Sequence, residues 1–209
     1  MIRNGKTQAS TNEGGERVKF TFIVPVYERK GSTCRSFCRC LDSIAAQTDK
    51  NFNVIVVHDG ENEMVQKITV ACKRVMDVSF YSVPYLGIRG GSHCINFALQ
   101  LPEVCGEYVA FINGDNIVRP DYVAEMYDTG FEILYCMVLH NDMNWLVTSG
   151  MCVAKGAIDR ANYAVRSDIA KEIGHQSIRL EQDWDFLAAC MRDRHTNYRR
   201  IEKILVEHN

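Results

Sequence analysis

The chain has 209 residues, 46% of them hydrophobic and 24% charged, with a formal net charge of -2 at pH 7. These values suit a globular protein with a substantial core. They give no electrostatic case for nucleic acid or an anionic membrane surface as a partner, and no apolar run reaches the length of a membrane span.

Residues 1–17, MIRNGKTQASTNEGGER, are polar and lack the apolar core of a signal peptide. A flexible leader is expected there, with a single folded domain over 18–209 and a cytoplasmic location. The first strand is expected at Phe20 to Val26, ending at Pro25-Val26-Tyr27-Glu28. Phe37, Leu41, Ile44 and Ala45 then follow helical spacing. Val54 to Val57 is a continuous apolar run of strand length that stops at His58-Asp59-Gly60, and Val65, Ile68, Cys72 and Val75 repeat at helical intervals. Val78 to Val83 reads as a third strand. Gly90-Gly91-Ser92 opens another helix, with Ser92 as its expected N-cap. Tyr108 to Ile112 is the fourth strand and breaks into the polar loop Asn113-Gly114-Asp115-Asn116. Strands alternating with amphipathic helices predict βαβ units, a parallel sheet and a Rossmann-like half over 18–116 that binds a nucleotide.

The remainder, 117–209, has a mixed α+β character. It reads as a helix over Asp121 to Gly130, strands over Phe131 to Leu139 and Trp145 to Val153, and a short extended piece at Ala161 to Val165. A helix capped by Ser167 then runs to Gly174, an amphipathic helix covers Glu181 to Arg194, and a last strand covers Ile201 to Val206. This half is expected to wall an acceptor site.

The nine cysteines, an odd number spread through these elements, do not resemble a disulfide framework. Several fall on apolar faces, where free cysteine behaves as a small hydrophobe. Cys34-x3-Cys38-x-Cys40 lacks the spacing of a zinc knuckle, and no second pair follows.

Three polar groups end predicted parallel strands: Pro25-Val26-Tyr27-Glu28, His58-Asp59-Gly60 and Asn113-Gly114-Asp115-Asn116. Each alone reads as turn chemistry. Parallel strands bring all three to one edge of the sheet, where open α/β sheets bind ligands. A carboxylate on such an edge, Asp115, can hold a divalent ion against a phosphate. Glu181-Gln182-Asp183-Trp184-Asp185 starts a helix, where acidic residues are favoured by the dipole, and it also offers a general base. His208, close to the C-terminus, is a potential metal ligand.

These residues resemble a known family. Phe22-Ile23-Val24-Pro25-Val26-Tyr27, then Leu41-Asp42-Ser43-Ile44 with Gln47-Thr48, then Val54 to Gly60, look like the opening of a family 2 glycosyltransferase of the GT-A fold. Gly106 to Ile112 leading to Asp115 is similar to the approach to that family's DXD-type metal motif, and Glu181-Gln182-Asp183-Trp184 to its ED-type motif. The C-terminal half resembles short GT-A proteins through Tyr135-Cys136, His140-Asn141, Ile158-Asp159, Asn162 to Arg166 and Ile204 to Asn209.

The resemblance implies an α/β GT-A fold and an inverting transfer of a sugar from a nucleoside-diphosphate sugar, UDP-sugar favoured, to a hydroxyl of a glycan or other acceptor. It implies that Pro25, Val26, Tyr27 and Glu28 line the nucleotide pocket and that Asp59 hydrogen-bonds the base. Arg89, Asn113 and Gly114 join this donor-binding set. Asp115 and His208 would hold Mn2+ or Mg2+, and Asp183 would take the proton from the acceptor.

The chain also departs from the pattern. His58 stands where the family often has a first Asp, and Asn113 and Gly114 stand where an acidic residue commonly precedes the last Asp. One carboxylate fewer weakens metal binding. Two rival readings are a non-catalytic nucleotide- or glycan-binding module and a nucleotidyltransferase, for which Glu28-Arg29-Lys30-Gly31 is only a faint phosphate loop. Gly87-Ile88-Arg89-Gly90-Gly91 does not match the G-x-G-x-x-G of dinucleotide oxidoreductases.

Overall fold

A computed structural model describes residues 17–27, 34–87, 91–140, 154–175, 182–193 and 196–208. The leader expected over 1–17 and the strand expected over Trp145 to Val153 therefore lie almost wholly outside the described residues. The described strands form one eight-stranded sheet.

Strands β1 (Phe20–Val26) and β2 (Phe52–Asp59) are buried along their whole length. That burial explains why their sequences are continuous apolar runs rather than alternating ones. Parallel pairing joins β1 to β2, β2 to β3 (Val78–Val83) and β1 to β4 (Tyr108–Phe111). Helices α1 (Cys34–Ala45), α2 (Glu63–Cys72) and α3 (Ser92–Leu99) make the connections. Side chains alternate across a strand, so β1 feeds two cores. Phe20, Phe22, Val24 and Val26 pack with Phe37, Leu41 and Ile44 of α1 and with Tyr122, Val123 and Met126 of α4 (Tyr122–Met126). Ile23 packs on the other face with Cys94, Ile95, Ala98 and Leu99 of α3. Phe186, Leu187 and Cys190 of α6 (Gln182–Asp193) complete that second core.

The second half is mixed, as expected. Strand β4 pairs antiparallel with β7 (Tyr163–Arg166), and β7 antiparallel with β6 (Ile133–His140). Strand β6 runs parallel to β8 (Tyr198–His208), which carries β5 (Ile117–Val118) antiparallel at the far edge. The chain winds outward from β1 through β2 to β3 and then returns to the opposite side of β1 as β4. The crevice between the carboxyl ends of β1 and β4 is thus the topological switch point of the sheet, where such folds bind ligands.

Several local expectations are corrected. Ser92 is the first residue of α3, not its cap: Gly91 holds the N-cap position, without a side-chain cap bond. Ser167 likewise opens α5 (Ser167–Ile173) without capping it, and its hydroxyl donates to Gly106 O at 2.5 Å. The helix expected over Asp121 to Gly130 ends at Met126, because Tyr127 is already extended with ψ 118°. Ala161 belongs to a 3-10 turn, Arg160–Asn162, that precedes β7. Strand β5 is too short to leave a periodic signal. Gly106 is where the segment before β4 meets β1: a Cβ there would lie 2.4 Å from Thr21 N. Among the described residues, no helix is long and apolar enough to cross a membrane.

Candidate active site

The amino end of α3 joins the parts of the cleft. Gly91 adopts φ 64°, a left-handed conformation that favours glycine. A Cβ on it would stand 2.9 Å from Pro25 Cβ and 3.4 Å from Tyr27 Cδ1, so the missing side chain lets α3 start against the end of β1. The next residue, Ser92, donates its hydroxyl to Gln182 Oε1, tying α3 to the first turn of α6. His93 then places Nε2 2.9 Å from Asp59 Oδ1 at the end of β2.

Asp59 is buried and already engaged by protein. It accepts hydrogen bonds from Leu86 N at 2.8 Å and Gly87 N at 2.9 Å besides the His93 contact. A carboxylate offers about four acceptor positions, and these contacts occupy three of them. His58, which stands in place of the family's first Asp, is engaged locally: its Nδ1 lies 3.0 Å from Gly60 O and closes the turn after β2.

The loop after β4 is held by Asn116 N donating to Asn113 O at 3.0 Å and by Cys40 Sγ donating to the same carbonyl at 3.5 Å. At Gly114, a Cβ would stand 3.3 Å from both Phe37 Cδ2 and Val26 Cγ2. A side chain at 114 would therefore start in tight contact with two apolar side chains. The β5–β8 ladder pairs Ile117 with Glu207. Asp115 and Asn116, just before β5, and His208, just after Glu207, thus lie at the same end of that ladder. The His208 ring is 5.0 Å from that of His140, its register partner on β6, and its Nδ1 is 3.7 Å from Asp159 Oδ2.

Buried polar atoms normally find hydrogen-bond partners. Asn113 Oδ1, both amide atoms of Asn116 and His208 Nδ1 are buried here without one among the described residues. The carboxylate and amide oxygens are hard donors of the kind that suits Mg2+ or Mn2+, with the imidazole a softer ligand beside them. No group of three or more His, Cys, Asp or Glu stands together for a metal among the described residues. An ion on this loop would thus lean on amide oxygens and on the phosphates of its ligand.

Asp183 lies in the first turn of α6. Arg160 Nε and Nη2 reach its Oδ1 at 3.0 and 2.9 Å, and Tyr163 Oη donates to its backbone carbonyl at 3.2 Å. Burial pushes the Asp183 carboxyl up, Arg160 pulls it down and Asp159 pushes it up, with a raised net value. Arg160 was not anticipated. It is 2% exposed, and Asp159 caps its 3-10 turn by accepting from Ala161 N at 2.8 Å while Asn162 Oδ1 accepts from Asp159 N at 2.7 Å. Only the Asp159…Asn162 capping pattern hinted at this turn in the sequence.

Of the other expected residues, Pro25 and Val26 end β1 and Tyr27 follows it, half-buried. Glu28, Arg89 and Glu181 lie outside the described residues, as does Cys152. The other eight cysteines are free thiols.

Beneath the cleft, His175 stacks on Phe186 with ring centroids 4.1 Å apart and meets Phe111 edge-on. Both ring nitrogens lack partners among the described residues. Burial, aided by Arg160, holds its pKa well below the ordinary 6.5. A histidine depressed in the folded state stabilises the fold above its unfolded pKa, and that contribution is lost as pH falls towards the folded value. Stability is therefore expected to drop between about pH 7.5 and about pH 5. His175→Phe should flatten that part of the profile. Urea midpoints at the two pH values check this, and parallel slopes for both proteins would contradict it.

The sequence profile described as glycosyl transferase family 2 matches residues 21–132, more than half of the chain. The glycosyltransferase GlyA of Streptococcus pneumoniae serotype 4 is 29% identical over 133 residues, which are 64% of this chain and 18% of GlyA. The uncharacterized glycosyltransferase YibD of Escherichia coli K12 is 25% identical over 133 residues, 60% of this chain and 32% of YibD. Among solved structures, Staphylococcus aureus TarS 1–349 in complex with UDP-GlcNAc superposes with a TM-score of 0.71 at 18% identity, covering 91% of this chain and 58% of TarS 1–349. The mannosyltransferase PcManGT from Pyrobaculum calidifontis, in complex with GDP-Man and Mn2+, gives 0.67 at 15% identity, covering 97% of this chain and 60% of PcManGT. The chain thus spans less than a fifth of GlyA and about 60% of these structural neighbours. The curled, mostly parallel sheet is that of the GT-A fold, and the chain belongs to glycosyl transferase family 2.

Proposed function

We propose that this chain carries out inverting, metal-dependent transfer of a sugar from a nucleoside-diphosphate sugar, UDP-sugar favoured, to the hydroxyl of a glycan or other acceptor. The observation that carries the reading is the amino end of α3. Gly91, Ser92 and His93 bring Pro25 and Tyr27, Gln182 beside Asp183, and Asp59 to one cleft at the switch point. The donor class is supported by the nucleotide sugars in the TarS and PcManGT complexes.

In this reading Pro25, Val26, Tyr27 and Glu28 line the nucleotide pocket, and Asp59 uses its remaining acceptor position on the base. Arg89, Asn113 and Gly114 meet the donor, and Asp115 and His208 hold Mn2+ or Mg2+. A bound divalent ion supplies positive charge to offset the negative charge that collects on the departing diphosphate. Asp183 accepts the acceptor's hydroxyl proton. The freed oxygen lone pair forms the new bond to the anomeric carbon as the bond from that carbon to the diphosphate oxygen breaks. Attack from the opposite face inverts the configuration, and no covalent glycosyl-enzyme forms.

A ligand that binds only the folded state raises the melting temperature, and at about 100 times its Kd it adds about 2.7 kcal/mol. UDP with Mn2+ is expected to raise the midpoint of the wild type. The rise should fall by more than half in Asp115→Asn, and without Mn2+. No rise with UDP, GDP or other nucleoside diphosphates, with or without Mn2+ or Mg2+, would sink the donor assignment. A second reading, a non-catalytic nucleotide- or glycan-binding module, is supported by Gly114 standing where an acidic residue is common in the family. It predicts the same rise without turnover.

A further inference from the structure

Arg160 is a buried cation held against the Asp183 carboxylate. Two of its guanidinium N–H groups point at Asp183 Oδ1, at 3.0 and 2.9 Å, and its backbone N–H also hydrogen-bonds that carboxylate. Three of about four acceptor positions are thus filled by a single residue. The residue is itself locked in place. The Asp159 cap and the Asn162 side chain close the 3-10 turn on both sides, and Asn162 Nδ2 donates to Cys136 O of β6 at 2.9 Å. Tyr163 of β7 steadies the other partner through Asp183 O at 3.2 Å and stacks on Phe186, one turn along α6, with centroids 6.0 Å apart.

A buried cation is strongly unfavourable unless paired, and burial of a carboxylate in the same cleft favours its neutral form. Each group therefore keeps the other charged. We propose that Arg160 is the positioning residue of Asp183: it fixes the orientation of the carboxylate, keeps it ionised inside the cleft, and leaves a lone pair to receive a proton. The proposal rests on the reading of Asp183 as the proton acceptor. Arg160 touches no reacting atom in it and acts through Asp183.

Among the described residues, the charged and titratable groups named with Asp183 come from three elements. Arg160 and Asp159 face it from the 3-10 turn and Tyr163 from β7. Asp185 lies on its own helix, and His175, which senses Arg160, follows α5. Asp159 opposes Arg160, Tyr163 stays neutral because burial raises its hydroxyl well above the ordinary range, and His175 stays neutral because burial lowers it. Arg160 is therefore the cation that the charge on Asp183 depends on among these groups.

The test is a carbon-13 titration of the Asp183 side-chain carboxyl in the folded full chain, which needs no substrate. Arg160→Met should move the midpoint up by about 1–3 pH units. Arg160→Lys restores a cation but not the planar pair of donors, and should recover most of the move. A midpoint in Arg160→Met that stays with the wild type, in protein shown folded by circular dichroism, would overturn the proposal. If Arg160→Met does not fold, the wild type answers the question. The Arg160 Nε resonance should titrate with the midpoint of the Asp183 carboxyl, and an Nε resonance that ignores it would overturn the proposal. The proton-acceptor reading fails by a different observable: a folded Asp183→Asn protein that releases nucleoside diphosphate as fast as the wild type.

Discussion

Asp183→Asn is expected to lower turnover by about 10²–10⁴-fold, the usual contribution of a positioned general base, with the affinity for UDP and Mn2+ unchanged. Asparagine keeps an oxygen for the Arg160 N–H groups at Oδ1 but has no basic site for the acceptor's proton. The wild type should also show an acid limb above the ordinary carboxylate value of 3.8, because the net effect of burial, Arg160 and Asp159 raises the carboxyl. The stability linkage has a definite sign. An acid whose folded pKa is raised contributes stability at low pH that is lost as pH rises through the folded value. Wild type and Asp183→Asn should therefore diverge in urea midpoint as pH climbs out of the carboxylate range, with the variant the less sensitive. Equal kcat values for the two proteins would remove Asp183 from the chemistry.

Asp59→Ala should cost both stability and nucleotide binding. The substitution orphans Leu86 N and Gly87 N together and leaves His93 Nε2 only the contact with Cys94 Sγ at 3.5 Å. A buried donor left unpaired costs about 1–3 kcal/mol, and water reaching the exposed Leu86 loop returns part of it, so a loss of about 3 kcal/mol is expected. The loop that begins at Tyr85 would lose its anchor to β2, and UDP affinity should fall with it. Urea denaturation and UDP titration measure the two effects separately. An unchanged urea midpoint would show that these three hydrogen bonds are not made.

The sheet was legible where burial leaves a one-dimensional trace. Strands β1, β2 and β4 are apolar because both faces are covered, and the polar stops at His58-Asp59-Gly60 and Asn113 to Asn116 mark where coverage ends. Helix starts were less legible, since Ser92 and Ser167 look like caps while their hydroxyls serve Gln182 and Gly106 far along the chain. Arg160 had no periodic signal at all. Its role depends on Asp183, 23 residues away, brought near by the β7 crossing. The conformation of Gly91 was equally hidden, since its contacts with Pro25 and Tyr27 are tertiary. Asp59, Asp115 and Asp183 stood out in the sequence because family motifs preserve order along the chain. That order carries no trace of what holds them.

The most direct measurement is release of nucleoside diphosphate from a panel of UDP- and GDP-sugars with Mn2+ and mixed hydroxyl acceptors, run on the wild type and on Asp183→Asn. Release from at least one donor by the wild type is expected, with inverted configuration in the product and near-complete loss in Asp183→Asn. Tight binding of UDP with Mn2+ but no release from any donor would contradict it and leave a binding module in its place.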